Sequence, residues 1–229
     1  MRGTDDRALP LSAAAATALR ASGDDSRLTL LAAMLADPGS EASAVVRDCG
    51  ADPDEVRHAV QTGTVPHRED RLPPELRPAR DALIGRVRYR GRGLKDRLLF
   101  SVLARQTNHA ARPVLWTRLE ADERAQQRKR PTRTDDILLA MLVTHEVAAA
   151  YPHMTHMAKD NYGGGQALLA QRIDHHRVRA ATLDDRPDEV PPGQILRPGP
   201  EWTEDTRVLL DRLAAHPANR SSRIVQALS

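Results

Sequence analysis

Aromatic residues are scarce: the chain has six in 229 residues, Tyr89, Phe100, Trp116, Tyr151, Tyr162 and Trp202. Alanine and leucine supply most of the apolar atoms instead, a balance that favours helix over strand and argues against a sandwich or a barrel. Cysteine is scarcer still. The single Cys49 allows no intramolecular disulfide and no Cys-rich structural zinc site, which fits a reducing cytoplasm. No apolar run approaches the roughly 18–20 residues a spanning helix needs. Met1-Arg2-Gly3-Thr4-Asp5-Asp6-Arg7 carries acids where a secretory leader is basic, so a soluble cytoplasmic protein is expected, with no membrane partner. Lysine is also rare, three of 34 basic residues; a GC-rich gene would produce the same arginine bias, so its abundance alone assigns no function.

Apolar residues make up 40% of the chain and charged ones 28%, enough for one large domain or two small ones with real cores. The charge is uneven. Residues 76–133 hold 16 Lys and Arg against 5 Asp and Glu, net +11, whereas residues 1–75 hold 8 against 13 and residues 134–229 hold 10 against 13, net −5 and −3. A basic middle between acidic ends suits a nucleic-acid surface or an internal electrostatic contact.

Helical spacing recurs along the chain. Ser12 caps an Ala-rich run over Leu11 to Ala21, and Arg27 to Leu35 is apolar on nearly every side, as central helices are. Glu41 to Cys49 follows, and Asp52-Pro53-Asp54-Glu55 opens a helix over Pro53 to Thr62 that stops at Gly63. After a polar stretch at 66–74, helices are expected at Arg77–Tyr89 with Val87 inward, Leu94–Leu103, Pro113–Gln127 and from Thr134 onward, the last capped by Thr134 or Thr132. Tyr151 to Gly165, with Pro152, His153, His156 and Gly163-Gly164-Gly165, is expected as an inserted loop before a helix at Gln166–Ile173. Pro187, Pro191, Pro192, Pro198 and Pro200 mark 184–200 as an extended linker. A last helix at Glu204–Ala215 and a fraying tail complete residues 201–229.

Three dense runs share one pattern of three apolar or small residues, a small residue and two apolar ones: Leu30-Leu31-Ala32-Ala33-Met34-Leu35, Leu98-Leu99-Phe100-Ser101-Val102-Leu103 and Ile137-Leu138-Leu139-Ala140-Met141-Leu142. The small fourth residue lets a neighbouring helix approach closely. Any buried helix in an Ala- and Leu-rich protein can look alike; the turn before and the helix after each run favour an internal repeat. The expected fold is all-α: tandem short-helix repeats, 8–63 as the first and 76–182 as an enlarged second, then the linker and a C-terminal helix.

These residues resemble the Clp repeat, the four-helix unit found in tandem at the N-terminus of Clp/Hsp100 unfoldases such as ClpA and ClpC. Thr134-Asp135-Asp136-Ile137-Leu138-Leu139-Ala140-Met141-Leu142 is similar to the repeat's Thr-Glu-His cap and its Leu-rich run, and Cys49-Gly50-Ala51-Asp52 with Glu55-Val56-Arg57 is similar to its Leu-Gly-Val-Asp junction. Lys95-Asp96-Arg97 stands where a further copy would carry its cap. The cap Glu is replaced by Leu28, Asp96 and Asp135, the His by Thr29, Arg97 and Asp136, and the Thr survives only as Thr134. The resemblance implies a helical docking module for protein substrates, adaptors or small ligands, acting as an adaptor, a decoy or a protective protein. In ClpC-like members the cap acids help bind phosphorylated arginine, which would put ligand contacts at Asp96 and Asp135, with Asp136 beside them; capping their helices is the ordinary alternative. No Gly-x-x-x-x-Gly-Lys-Ser/Thr loop occurs in the chain, so no nucleotide motor and no cofactor are expected.

Other chemistry weighs less. His145-Glu146 lacks the second His of a zinc-protease helix, position 149 being Ala149. His145, His153, His156, His175 and His176 read as surface or loop histidines, and Cys49 as filler on an apolar helix face. Gly163-Gly164-Gly165 reads as a flexible insertion or an anion cradle at a helix start. No catalytic residue and no metal ligand is assigned, and a non-enzymatic protein is expected. The alternative function is nucleic-acid regulation through the basic surface of Arg86, Arg88, Arg90, Arg92, Lys95 and Arg97, interleaved with Tyr89.

Overall fold

A computed structural model describes residues 12–23, 26–64, 70, 72–89, 108–181, 185–196 and 203–229. Among them the chain is helical, with no strand. It divides into two compact units, Met1–Asp70 and Arg71–Ser229, and the division falls inside the polar stretch at 66–74.

The first unit holds α1 (Ala13–Ser22), α2 (Arg27–Leu35), α3 (Glu41–Asp48) and α4 (Pro53–Thr62). Each begins at a side chain that accepts an otherwise unpaired backbone N–H: Ser12 from Ala15, Ser26 from Leu28, Ser40 from Ser43, and Asp52 from Asp54. Gly50, at φ 71°, turns the chain out of α3 towards the Asp52 cap. Helix α2 packs against α1, α3 and α4, yet among the unit's described residues the buried apolar side chains are few: Ala18, Ala32 and Leu35. Leu28 stays 59% exposed and Met34 39%, so α2 is central without being enclosed. Cys49, expected as core filler, is exposed beyond the end of α3; burial of its sulfur and the neighbouring Asp48 raise its pKa.

The second unit is built on α7 (Thr134–Ala150), against which α5 (Arg77–Leu83), α6 (Pro113–Gln127), α8 (Pro152–Thr155), α9 (Gly163–Ala170), α10 (His175–Ala180), α12 (Thr206–Ala214) and α13 (Arg220–Leu228) pack. Every residue from Ile137 to Val143 is buried, as a run apolar on all sides requires. Each such Leu or Ile contributes about 1.5–3 kcal/mol. Trp116 of α6, fully buried, is the largest side chain of this core.

Several expected boundaries change. Helix α5 ends at Leu83, not Tyr89, because the chain turns at Gly85 (φ 77°); Val87 is exposed and Tyr89 half-buried. The expected helix 94–103, with Ser101, lies outside the described residues. Residues 151–165, expected as an inserted loop, are helical: α8, a 3-10 segment at His156–Tyr162, then α9 starting on the glycine run itself. The expected extended linker is a packed element over 185–196, where α11 (Pro192–Ile195) buries Ile195 and Leu196 in the core. Nor does the tail fray: α13 buries Ile224 against the rest of the unit.

Candidate functional site

Asp136 and Asp135 stand in the first turn of α7, where acids favour the helix dipole. Asp136 is 1% exposed. Arg130 grips it with both terminal nitrogens, Nη1 at 2.6 Å from Oδ2 and Nη2 at 2.8 Å from Oδ1, while Arg128 Nη1 lies at 3.3 Å and the Arg133 N–H donates to Oδ2 at 3.0 Å. The carboxylate raises the Arg130 pKa through that hydrogen bond. Asp135 faces Arg220 Nε at 3.4 Å. These contacts give both aspartates structural partners, as helix capping would. The cap expected at Thr134 or Thr132 falls one residue earlier than Thr134, at Arg133; the Thr134 hydroxyl donates to Asp188 and the Thr132 hydroxyl to Asp122.

Asp188 is a structural residue that local sequence did not reveal. Its carboxylate accepts the Thr134 N–H at 2.9 Å, the Thr134 hydroxyl and the Arg220 N–H at 2.9 Å, so one side chain caps α7 and α13 together. Beside it, the Asn219 amide clamps Val190, accepting from its N–H at 2.9 Å and donating to its carbonyl at 3.1 Å. Asp188→Ala is expected to cost about 2 kcal/mol, one cap for each helix, while the exposed neighbour Asp185→Ala changes stability by less than about 0.5 kcal/mol. Urea denaturation of both variants checks this; equal, small effects would mean that 185–196 hangs free.

Gly163-Gly164-Gly165 forms the first turn of α9. Two of its amides are occupied from within: the Gly163 N–H donates to Asp205 Oδ1 at 2.9 Å and the Gly164 N–H to Thr206 Oγ1 at 3.0 Å. The dipole of α9 thus meets the carboxylate that also caps α12. A Cβ on Gly164 would stand 2.3 Å from the Thr206 carbonyl oxygen, and one on Gly165 would stand 2.4 Å from His145 Cβ. The glycines are therefore contact surfaces between helices.

The histidines separate in the same way. His175 on α10 is buried, contrary to the surface or loop reading, with its Nδ1 at 2.8 Å from both Glu146 carboxylate oxygens, and His145 on α7 is half-buried beside Tyr162. His176 is exposed, and His153 is half-buried beside Tyr151. Nothing is described of the His156 side chain. Among the described residues, no three His, Cys, Asp or Glu side chains gather as a metal site requires. His109 and His145 each hold a buried Nδ1 with no partner, and burial lowers both pKa values from 6.5, the adjacent Glu146 opposing part of the shift at His145. Below about pH 6.5 the unfolded chain takes up protons that the folded one resists, so stability present above that pH is lost as pH falls towards the folded values. The urea midpoint is expected to drop between about pH 7.5 and 5.5, and His145→Gln to make the drop shallower; an unchanged slope would count against this origin.

Of the basic surface, Arg86 and Arg88 are described and exposed; Arg90, Arg92, Lys95 and Arg97 lie outside the described residues, as does Asp96. Other arginines of the basic middle form internal ion pairs: Arg80 with Asp81 at 2.8 Å, Arg124 with Glu120 at 2.9 Å, and Arg130 with Asp136. Tyr89 completes a buried chain, accepting from Trp116 Nε1 at 2.8 Å and donating to Glu120 Oε2 at 3.0 Å. Burial above all, together with Glu120, holds the phenol pKa far above its ordinary value, which keeps the donor in place.

The first unit offers a different surface. Leu19 is 54% exposed, Leu28 59% and Val45 44%, on a module whose described core is thin. No described helix is long and apolar enough to cross a membrane. Compared with known proteins, the chain matches no family model, no curated protein and no solved structure.

Proposed function

We propose that the chain is a non-enzymatic helical module that binds a protein or peptide partner through its first unit, in the manner of the docking domain of a Clp unfoldase. The observation that carries this reading is the set of large apolar side chains, Leu19, Leu28, Met34 and Val45, left in solvent on helices that bury so little among themselves. Single exposed leucines are ordinary on any surface; several on a small unit with few buried side chains leave apolar surface for a partner to cover. The Clp-like arrangement belongs to the same proposal. It is supported by the junction of α3 and α4, where Gly50 takes the left-handed turn and Asp52 the cap, and by the enclosed run of α7. Within it the protein would act as an adaptor, a decoy or a protective protein for a Clp machine, its substrates or its adaptors.

Affinity capture with the full chain tests the reading. From nuclease-treated extract, wild type is expected to retain a Clp component, substrate or adaptor, and Leu28→Glu with Met34→Glu to lose it at least tenfold while unfolding like wild type. Capture of none of these would overturn it. The nucleic-acid alternative rests on exposed Arg86 and Arg88 and predicts binding that falls steeply with salt; because so many neighbouring arginines are paired internally, we expect weak and unselective binding, measured by fluorescence anisotropy.

A further inference from the structure

Residues 185–196 form a strap that joins the starts of α7 and α13, and few of its own side chains hold it there. Apart from Ile195 and Leu196, none of them is buried. The polar contacts go to one carboxylate and to main chain. Asp188 accepts the Thr134 N–H and the Arg220 N–H at 2.9 Å each, together with the Thr134 hydroxyl. Two residues on, the Asn219 amide pairs with both polar groups of the Val190 backbone; two residues before, the Arg186 carbonyl accepts from Arg223 Nη2 at 2.9 Å and from Arg220 Nη1 at 3.3 Å. Thr134, Asn219 and Arg220, which make the seat, are buried. The strap does not fill it: an open groove of about 410 Å³ is lined by Val190, Gln194 and Ile195 of the strap together with Arg212, Ala215 and His216.

We infer that this seat is a peptide-binding site in which the strap stands in for a ligand, and that the ligand is an acidic, proline-flanked segment of a partner protein, of the form Asp-x-Val-Pro. The pattern of contacts selects that class. An aspartate meets two helix starts at once, where N–H groups and the helix dipoles favour an anion. The residue two positions later must keep its N–H, because Asn219 Oδ1 accepts it. Bonds to main chain leave the side chain between them free to vary. Pro191, at φ −66° and ψ 145°, holds polyproline geometry, which lowers the ordering cost of a ligand built alike. A tethered segment competes at a roughly millimolar effective concentration, so a partner must bind better than the strap. The unfilled groove beside Val190 is where larger side chains would gain contact. The seat belongs wholly to the second unit and does not depend on the first unit's having a partner.

The test titrates the full chain into a fluorescently labelled peptide with the sequence of residues 185–196 and follows anisotropy. In the full chain, Asp188→Ala and Val190→Pro each remove one anchor of the strap and leave the seat untouched. Both variants are expected to bind the peptide about tenfold more tightly than wild type, whose seat is occupied. In the peptide, Asp188→Ala is expected to weaken binding to these variants about tenfold, and Val190→Pro about fivefold, the worth of one hydrogen bond. No binding to either variant, or equal binding of the substituted peptides, overturns the assignment. Loss of cooperative unfolding in both variants overturns it too, because the strap would then be a part of the fold that the unit cannot release. So does a peptide that splits a dimer of the wild-type chain, which would make the natural occupant the strap of a second copy.

Discussion

Gly164→Ala is expected to destabilise the second unit by about 3 kcal/mol, at the upper end of overpacking costs. The added methyl would lie 2.3 Å from the Thr206 carbonyl oxygen and 2.7 Å from both Thr206 C and Met141 Sδ. Methionine can yield by rotating; the Thr206 backbone cannot, because it forms the first turn of α12. The helix α9 would have to retreat, and retreat pulls the Gly163 and Gly164 amides from Asp205 and Thr206, to which they donate at 2.9 and 3.0 Å. Gly163→Ala is the control. Its Cβ would meet only side-chain atoms, the nearest being Asp205 Oδ2 at 3.0 Å, and a cost of about 1 kcal/mol is expected. Urea unfolding of the two variants should separate them clearly. Equal midpoints, close to wild type, would restore the view of this run as a loose insertion.

Asp136→Ala is expected to cost about 3 kcal/mol. Removing one partner of a buried ion pair costs about 3–5 kcal/mol, mostly because the other charge is stranded. Here Arg130 loses a two-pronged grip, and its side chain is only 19% exposed; the more exposed Arg128 returns to water, which places the loss at the lower end. The start of α7 also loses the acceptor for the Arg133 N–H. Asp136→Asn keeps an acceptor of the same shape and is expected to fall between wild type and Ala. A ligand-contact role makes the opposite forecast: Asp136→Ala would keep its urea midpoint and lose affinity for a phosphorylated arginine peptide. The pair of measurements distinguishes a cap from a ligand contact at this position.

The elements most legible from sequence are those whose ends are decided locally. The bounds of α2, α4 and α6 coincide with Arg27–Leu35, Pro53–Thr62 and Pro113–Gln127, because Ser26, Asp52-Pro53 and the proline at the start of α6 lie beside the amides they cap or replace. What sequence hid is decided at long range. Asp188 serves Thr134, 54 residues away, and its proline-rich surroundings read as a tether. The glycine run reads as flexible until α12, whose Asp205 lies 42 residues from Gly163, is set against it. A helix pattern continues past Leu83 through Val87, yet Gly85 turns the chain and Tyr89 goes inward to Trp116 and Glu120 instead. Asp135 and Asp136 are legible as residues of a helix start, where the structure places them in the first turn of α7. The exposed apolar side chains of the first unit are not legible in that way: apolar spacing marks side chains that are covered, and does not say whether the chain or a partner covers them.

That last distinction is the centre of the account. Site-specific photo-crosslinking in living cells, with a photoreactive phenylalanine analogue at Leu28 in one variant and at Arg88 in another, tests it most directly. The full chain is expected to form a discrete protein adduct from position 28 and none of comparable yield from position 88. Adducts to nucleic acid or protein from position 88 alone, with position 28 silent, would contradict it.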